Sequence, residues 1–226
     1  MTAQQPILEA LFSQARARLL AQSVLPQVFA GRGFTPDALR QLELGLDAAE
    51  NAVIARRNLA GELIGLKIRL LHPDRRNYLE IPQDTGNPPW FAPGSGQVSA
   101  ATHRGVLCVA AEFNAMLTHL ALSGTDARHE RWAVVGLGST FGPVPWAWLA
   151  SLGLPVVFSL DPGRLADKQF PLGQAQAQRL GLKIHRAAPL LGDWARVSMP
   201  RRAVWKHCGH AGLGSCASLR GSAWQL

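Results

Sequence analysis

Val106-Leu-Cys-Val-Ala-Ala-Glu-Phe-Asn-Ala-Met116 reads as a buried strand running straight into a helix, with one carboxylate, Glu112, at the junction. Further along, Val156-Val-Phe-Ser-Leu-Asp-Pro-Gly163 repeats the arrangement, an apolar strand that ends on Asp161. Open α/β sheets bind ligands in the crevice beyond the carboxyl ends of their strands. Glu112 and Asp161 are therefore placed to meet over one ligand, and a divalent metal with a phosphate is the chemistry two such acids predict.

Working outward, the second half of the chain alternates: strand 105–110, helix 112–123, strand 132–137, helix 143–152, strand 155–160, helix 172–181, strand 183–187. Strands alternating with helices predict right-handed crossovers and a parallel sheet. Upstream, residues 7–22 place Ile7, Leu8, Leu11, Phe12, Ala15, Leu19 and Leu20 at helical spacing. After the turn signal Gly31-Arg-Gly33, Thr35-Pro36 offers a capping hydroxyl and a first-turn proline for a second helix. Ala52-Val-Ile-Ala-Arg-Arg-Asn58 and Leu63-Ile-Gly-Leu-Lys-Ile-Arg-Leu-Leu71 flank a glycine turn and predict a hairpin. Prolines and glycines crowd residues 82–105, an irregular connector. The expected organisation is an amphipathic helix (1–24), a small α+β subdomain with a hairpin (25–100), a parallel-sheet α/β domain (101–196) and a basic, irregular tail (197–226).

At 226 residues and 47% hydrophobic content the chain can bury a sizeable core. Its formal charge of +8 points to a phosphate polymer as partner. The positive charge comes in Arg56-Arg57, Lys67, Arg69, Arg75-Arg76 and Arg201-Arg202, with Tyr78 and Trp90 nearby as stacking surfaces, the combination that holds single strands without sequence preference. Of the three cysteines, Cys108 sits in an apolar strand and reads as a small core hydrophobe. The first residues lack a signal-peptide pattern, and no run approaches the ~18 apolar residues of a membrane helix. A cytoplasmic protein with no membrane partner is expected.

The order of these pieces resembles the core of bacterial, phage and plasmid DNA primases, in which a small mixed subdomain precedes a Toprim domain. The resemblance rests on Gly31-Arg-Gly-Phe-Thr-Pro-Asp-Ala-Leu39, Gly61-Glu-Leu-Ile-Gly-Leu-Lys-Ile-Arg69 and Arg76-Asn-Tyr78, and covers roughly residues 25–190. The Toprim run Glu-Gly-Glu-x-Asn-Ala falls on Ala110-Ala111-Glu112-Phe113-Asn114-Ala115, so alanines stand where the family has its first acid and its glycine. The Asp-x-Asp-x-x-Gly motif falls on Asp161-Pro162-Gly163-Arg164-Leu165-Ala166, keeping only the first aspartate. Gly136-Leu-Gly-Ser-Thr140 is similar to the small-residue turn after the middle strand, and Gly192-Asp193-Trp194 to the segment after the last one.

The resemblance implies a Toprim (Rossmann-like) parallel sheet and a protein that binds single-stranded DNA in plasmid or phage replication, with a replicative helicase as a further partner. Mg²⁺-dependent nucleotidyl transfer would then be residual or lost, because two of three acids are missing. Asp161 would hold the metal, weakly if at all, and Glu112 would be the second catalytic acid. Bland readings stand beside these: Glu112 as an acid favouring a helix dipole, Asp161 as a turn residue before Pro162-Gly163. Arg56, Arg57, Lys67, Arg69, Arg75, Arg76 and Tyr78 are the expected nucleic-acid contacts.

Two other readings come from the residues themselves. Gly136-x-Gly138-x-x-x-Gly142 follows a strand and precedes a helix, so Gly136 and Gly138 could let backbone N–H groups approach a phosphate in a Rossmann-like nucleotide binder. A plain tight βα turn is the reading favoured over it. An inactive remnant is the third reading. In the tail, His207-Cys208-x-His210 with Cys216 offers zinc ligands at no standard spacing, and the loss of periodicity there is also what a shifted reading frame would produce.

Overall fold

The computed structural model describes residues 5–73, 77–82, 86–123, 131–138, 143–160 and 164–187. Arg75, Arg76, Gly142, Asp161, the Gly192-Asp193-Trp194 segment and the whole tail lie outside them.

The chain begins with helix α1 (Gln5–Leu20), then α2 (Pro36–Gln41), where the Thr35 hydroxyl accepts the Ala38 amide as the cap expected of it. An antiparallel sheet follows, in the order β1 (Leu44–Leu46), β2 (Ala52–Arg57), β3 (Leu63–Arg69), β4 (Tyr78–Ile81). The expected hairpin is β2–β3, and the structure extends it on both sides by short strands that carry too few residues to show a pattern in sequence.

Because strand side chains alternate, this sheet has two different faces. On one, Val53, Ala55 and Leu66 meet Leu8, Phe12 and Ala15 of α1. The helix lies so close that a Cβ on Gly45 would stand 2.7 Å from that of Ala15. Arg16 donates to the carbonyls of Leu39, Leu42 and Leu44, tying the helix to the segment that enters the sheet. On the other face Ala52 and Ile54 of β2 and Lys67 and Arg69 of β3 are set opposite one another, with Arg56 further along, and β4 puts Glu80 beside Lys67 and Tyr78 beside Arg69.

The second sheet has the order β5-β7-β6-β8-β9, built from β5 (Trp90–Phe91), β6 (Gly105–Val109), β7 (Trp132–Gly136), β8 (Val156–Ser159) and β9 (Ile184–Ala187). The last four are parallel, as the βα alternation predicts; β5 is an antiparallel edge. That edge comes from within the expected irregular connector, where two residues between prolines give no strand signal. Helix α3 (Glu112–Ser123) covers one face and α4 (Trp146–Leu152) and α5 (Arg164–Arg179) the other. Helix α5 begins earlier than the expected 172 and carries Pro171 inside, since a proline removes one backbone bond without forbidding a helix whose Phe170 and Ala177 are packed.

The side chains of β6 divide accordingly. Val106, Cys108 and Ala110 join Leu149 of α4 and Ala177 of α5, and burial pushes the Cys108 thiol up out of the reactive range. Leu107 and Val109 join Phe113 and Met116 of α3 together with Leu44 and Ile54 of the first sheet. One continuous core therefore runs between the sheets, and Phe29, Phe34 and Phe113 lock it with edge-on and tilted ring contacts at 5.0–5.7 Å.

Candidate nucleic-acid interface and its buried ion cluster

Glu112 opens α3 immediately beyond β6, as the strand-to-helix junction predicts, but its side chain does not lie open at the sheet's edge. It is 1% exposed. Its Oε1 accepts from the Arg56 guanidinium and from Lys67 Nζ, the latter at 2.6 Å. Asn87 Oδ1, from the segment before β5, accepts from the same two cations, at 3.1 Å from Arg56 Nη2 and 2.9 Å from Lys67 Nζ. Glu112 Oε2 and Arg56 Nη1 are buried with no hydrogen-bond partner. The β2–β3 hairpin, the segment before β5 and the start of α3 thus meet in one cluster.

The charges here oppose two effects. Burial alone would raise the Glu112 carboxyl, but Arg56 and Lys67 overcome it and hold it below the usual carboxylate range. Burial lowers the Lys67 ammonium, with Arg56 as a like-charged neighbour adding to it and Glu112 opposing. Glu80, across the strand from Lys67, adds a second negative charge to the surroundings. A buried carboxylate with two cations and few other acceptors costs most if one member is removed.

The turn after β7 presses on the same cluster. Gly138 adopts φ +74°, and a Cβ there would stand 2.8 Å from Asn87 Nδ2 and 2.9 Å from Glu112 Oε1. A Cβ on Gly136 would stand 3.2 Å from the Glu112 Cα and 3.1 Å from the Ala115 Cβ. Both glycines are thus required by close packing against α3 and Asn87. A carboxylate is the nearest charged group at Gly138, a poor neighbour for a phosphate.

The other expected nucleic-acid contacts separate into three kinds. Arg56 and Lys67 are turned inward, each 3% exposed, because the face of β2 and β3 that carries them is covered by the start of α3 and the Asn87 segment. Arg57 lies beyond a register shift in β2 and pairs with both oxygens of Glu43 and with Glu9 of α1. Arg69 and Tyr78, at the outer end of the same face as Lys67, are half-buried and stay together: the Arg69 guanidinium donates to the Tyr78 hydroxyl and lies 5.2 Å from its ring. Lys67 Nζ lies 4.3 Å from that ring, and Arg69 and Arg32 both approach the Phe113 ring, at 5.3 and 6.0 Å. Burial, and then Glu112, raise the Tyr78 hydroxyl, so it stays a neutral donor and acceptor. Arg32 and Asn87 were not singled out in the sequence. Arg32 lies in the quoted Gly31-Arg-Gly33 turn, whereas Asn87 is one polar residue in a proline-rich stretch and carries no signal.

Mg²⁺, the ion the resemblance implies, can be tested against the donors. Ala110, 2% exposed, stands where the resemblance places the family's first acid, and Ala111 where it places a glycine. Glu112 already spends one oxygen on two cations. At an effective dielectric of about 20, unit charges 4 Å apart repel by ~4 kcal/mol, so a divalent ion beside Arg56 or Lys67 meets roughly 8 kcal/mol from each. Among the described residues no group of three His, Cys, Asp or Glu side chains is placed to hold a metal. The described donors do not fit a divalent ion.

No protein-family model and no curated protein matches this chain. Its fold is that of primase catalytic cores. Among solved structures it is similar to the RNA polymerase domain of Mycobacterium tuberculosis primase DnaG, with TM-score 0.62, 18% identity, and 97% of this chain and 92% of that one covered. It is similar also to the zinc-binding and RNA polymerase domains of the Aquifex aeolicus primase, with TM-score 0.58, 15% identity and 80% of this chain covered; the chain spans 53% of that protein's length. A DnaG primase catalytic domain bound to single-stranded DNA matches with TM-score 0.57, 13% identity, and 81% and 72% covered. At such identities the likeness establishes the fold.

Proposed function

We propose that this protein binds single-stranded DNA as a primase-like component of plasmid or phage replication, with Mg²⁺-dependent nucleotidyl transfer residual or lost. The carrying observation is the outer end of the β3–β4 face, where the half-buried Arg69, Tyr78 and Arg32 bring two guanidinium groups and an aromatic ring together beside the buried Phe113. Guanidinium groups hold phosphates and aromatic rings stack bases, which suits a single strand read without sequence preference. The formal charge of +8 and the primase-core fold support this, and Arg75 and Arg76, between β3 and β4 in sequence, would extend the surface. A replicative helicase is the partner such a component would serve. Among the described residues no helix is long and apolar enough to cross a membrane.

Catalysis has little left to work with. Ala110 and Gly163 hold two of the family's acid positions and Glu112 is enclosed by cations, which leaves Asp161 as the acid to which a metal role falls. The rival nucleotide-binding turn at Gly136–Gly142 loses support from the carboxylate that faces Gly138.

Fluorescence anisotropy of a labelled single-stranded oligomer, titrated across a salt series, tests the reading. Affinity that falls steeply with salt is expected, with a slope of about 0.7 per phosphate neutralised. No binding at low salt would remove it.

A further inference from the structure

We propose that Arg56 and Lys67 take the place of a divalent cation at Glu112, so that the carboxylate at the head of α3 is the anchor of a metal-free polar lock between the two sheets and binds neither Mg²⁺ nor Mn²⁺. The argument is one of geometry and charge. A metal-binding carboxylate needs open oxygens, oxygen-donor neighbours and room for the ion's remaining waters. Glu112 falls short of this: Oε1 is engaged by both cations, Oε2 is buried, and the described neighbours are a guanidinium, an ammonium and the Asn87 amide, whose oxygen is spent on the same two cations. The β7 turn approaches the same oxygen, since a Cβ added at Gly138 would stand 2.9 Å from Oε1.

The same bonds describe what the cluster does instead. Arg56 and Lys67 belong to the first sheet, Glu112 and Gly138 to the second layer, and Asn87 to the segment that enters the edge strand β5. A carboxylate that bridges cations from β2 and β3 fixes the first sheet over α3, and with it the placement of Arg69 and Tyr78 on the outer surface. The fold thus keeps a charged centre at the strand ends while exchanging a bound ion for covalently attached cations. The alanine at 110 belongs to the same exchange, because a further acid there would be needed only to balance an added ion.

The test is a titration of the ¹⁵N-labelled full chain with Mn²⁺, reading paramagnetic loss of amide signals; no DNA is present, so the result is independent of the nucleic-acid reading. The expected result is that amides of Phe113–Ala115 and Gly136–Gly138 lose no more intensity than exposed amides elsewhere. Selective loss there at substoichiometric Mn²⁺ that disappears in Glu112→Gln would overturn the proposal. Selective loss that persists unchanged in Glu112→Gln comes from an ion held by other residues, and upholds it. Glu112→Asp, which keeps the charge but draws the carboxylate back, replaces that variant if the glutamine form does not fold, with the same two outcomes.

Discussion

Lys67 and Arg69 stand two residues apart on one face of one strand, yet the structure uses them in opposite ways. Lys67 is buried against the start of α3 and is spent on a carboxylate there. Arg69, one step outward, is half-buried and shares its charge with a phenol and an aromatic ring. The contrast teaches that a basic run on a strand is not one surface: where the partner sheet covers it the charges hold the fold together, and where the cover ends they become available to a ligand. The inner end should therefore govern stability and the outer end binding.

The largest effect should come from the inner end. Glu112→Gln leaves two buried cations unbalanced and should cost about 3–5 kcal/mol in chemical denaturation, whereas replacing the trio together (Arg56→Met, Lys67→Met, Glu112→Leu) should recover most of that loss. A triple variant no more stable than the single one would show that the pairing itself stabilises the fold. The same carboxylate sets an acid limit. Its folded pKa lies below the unfolded one, so the unfolded chain binds the extra proton and stability falls as pH drops through the window below the usual carboxylate range. Denaturation against pH should show this acid loss shrinking in the triple variant, with Glu80 the remaining acid on that face.

Next in size, Tyr78→Ala should weaken single-stranded DNA by ~1–3 kcal/mol if a base stacks there, and Arg69→Ala should lower the salt slope by about 0.7, both with little change in the denaturation midpoint compared with Glu112→Gln. A Tyr78→Ala variant that binds as well as the parent would break the division between the two ends. Gly138→Ala should cost about 1–3 kcal/mol of stability, since it adds a side chain to a left-handed residue facing Glu112 and Asn87. The smallest change is far from both ends: Thr35→Ala removes the α2 cap and should cost ~1 kcal/mol.

Much of the architecture is legible in the residues. Apolar runs of five or so residues separated by amphipathic stretches locate β6, β7, β8, β9 and α3 within a residue or two, and the hairpin of β2 and β3 follows from its glycine turn. The short strands β1, β4 and β5 are not legible, because each exists only by pairing with a longer neighbour. The site is legible in parts. Glu112 stands out as a lone acid between a strand and a helix, and Arg69 and Tyr78 as a cation and an aromatic near each other. That Arg56 and Lys67 belong with the acid has no local sign, since their partner lies 56 and 45 residues away in sequence.

What the sequence determined by itself was local: which segments alternate apolar and polar residues, where the turns fall, and that alanine stands at 110 where the resemblance places an acid. These follow from nearest-neighbour geometry, in which a side chain's face is set by residue parity along a strand. Tertiary structure alone decided which charges are covered. Whether a cation is a ligand contact or a structural counter-ion depends on the solvent it keeps, and that is set when one sheet is laid over another, burying Lys67 and leaving Arg69 at the rim.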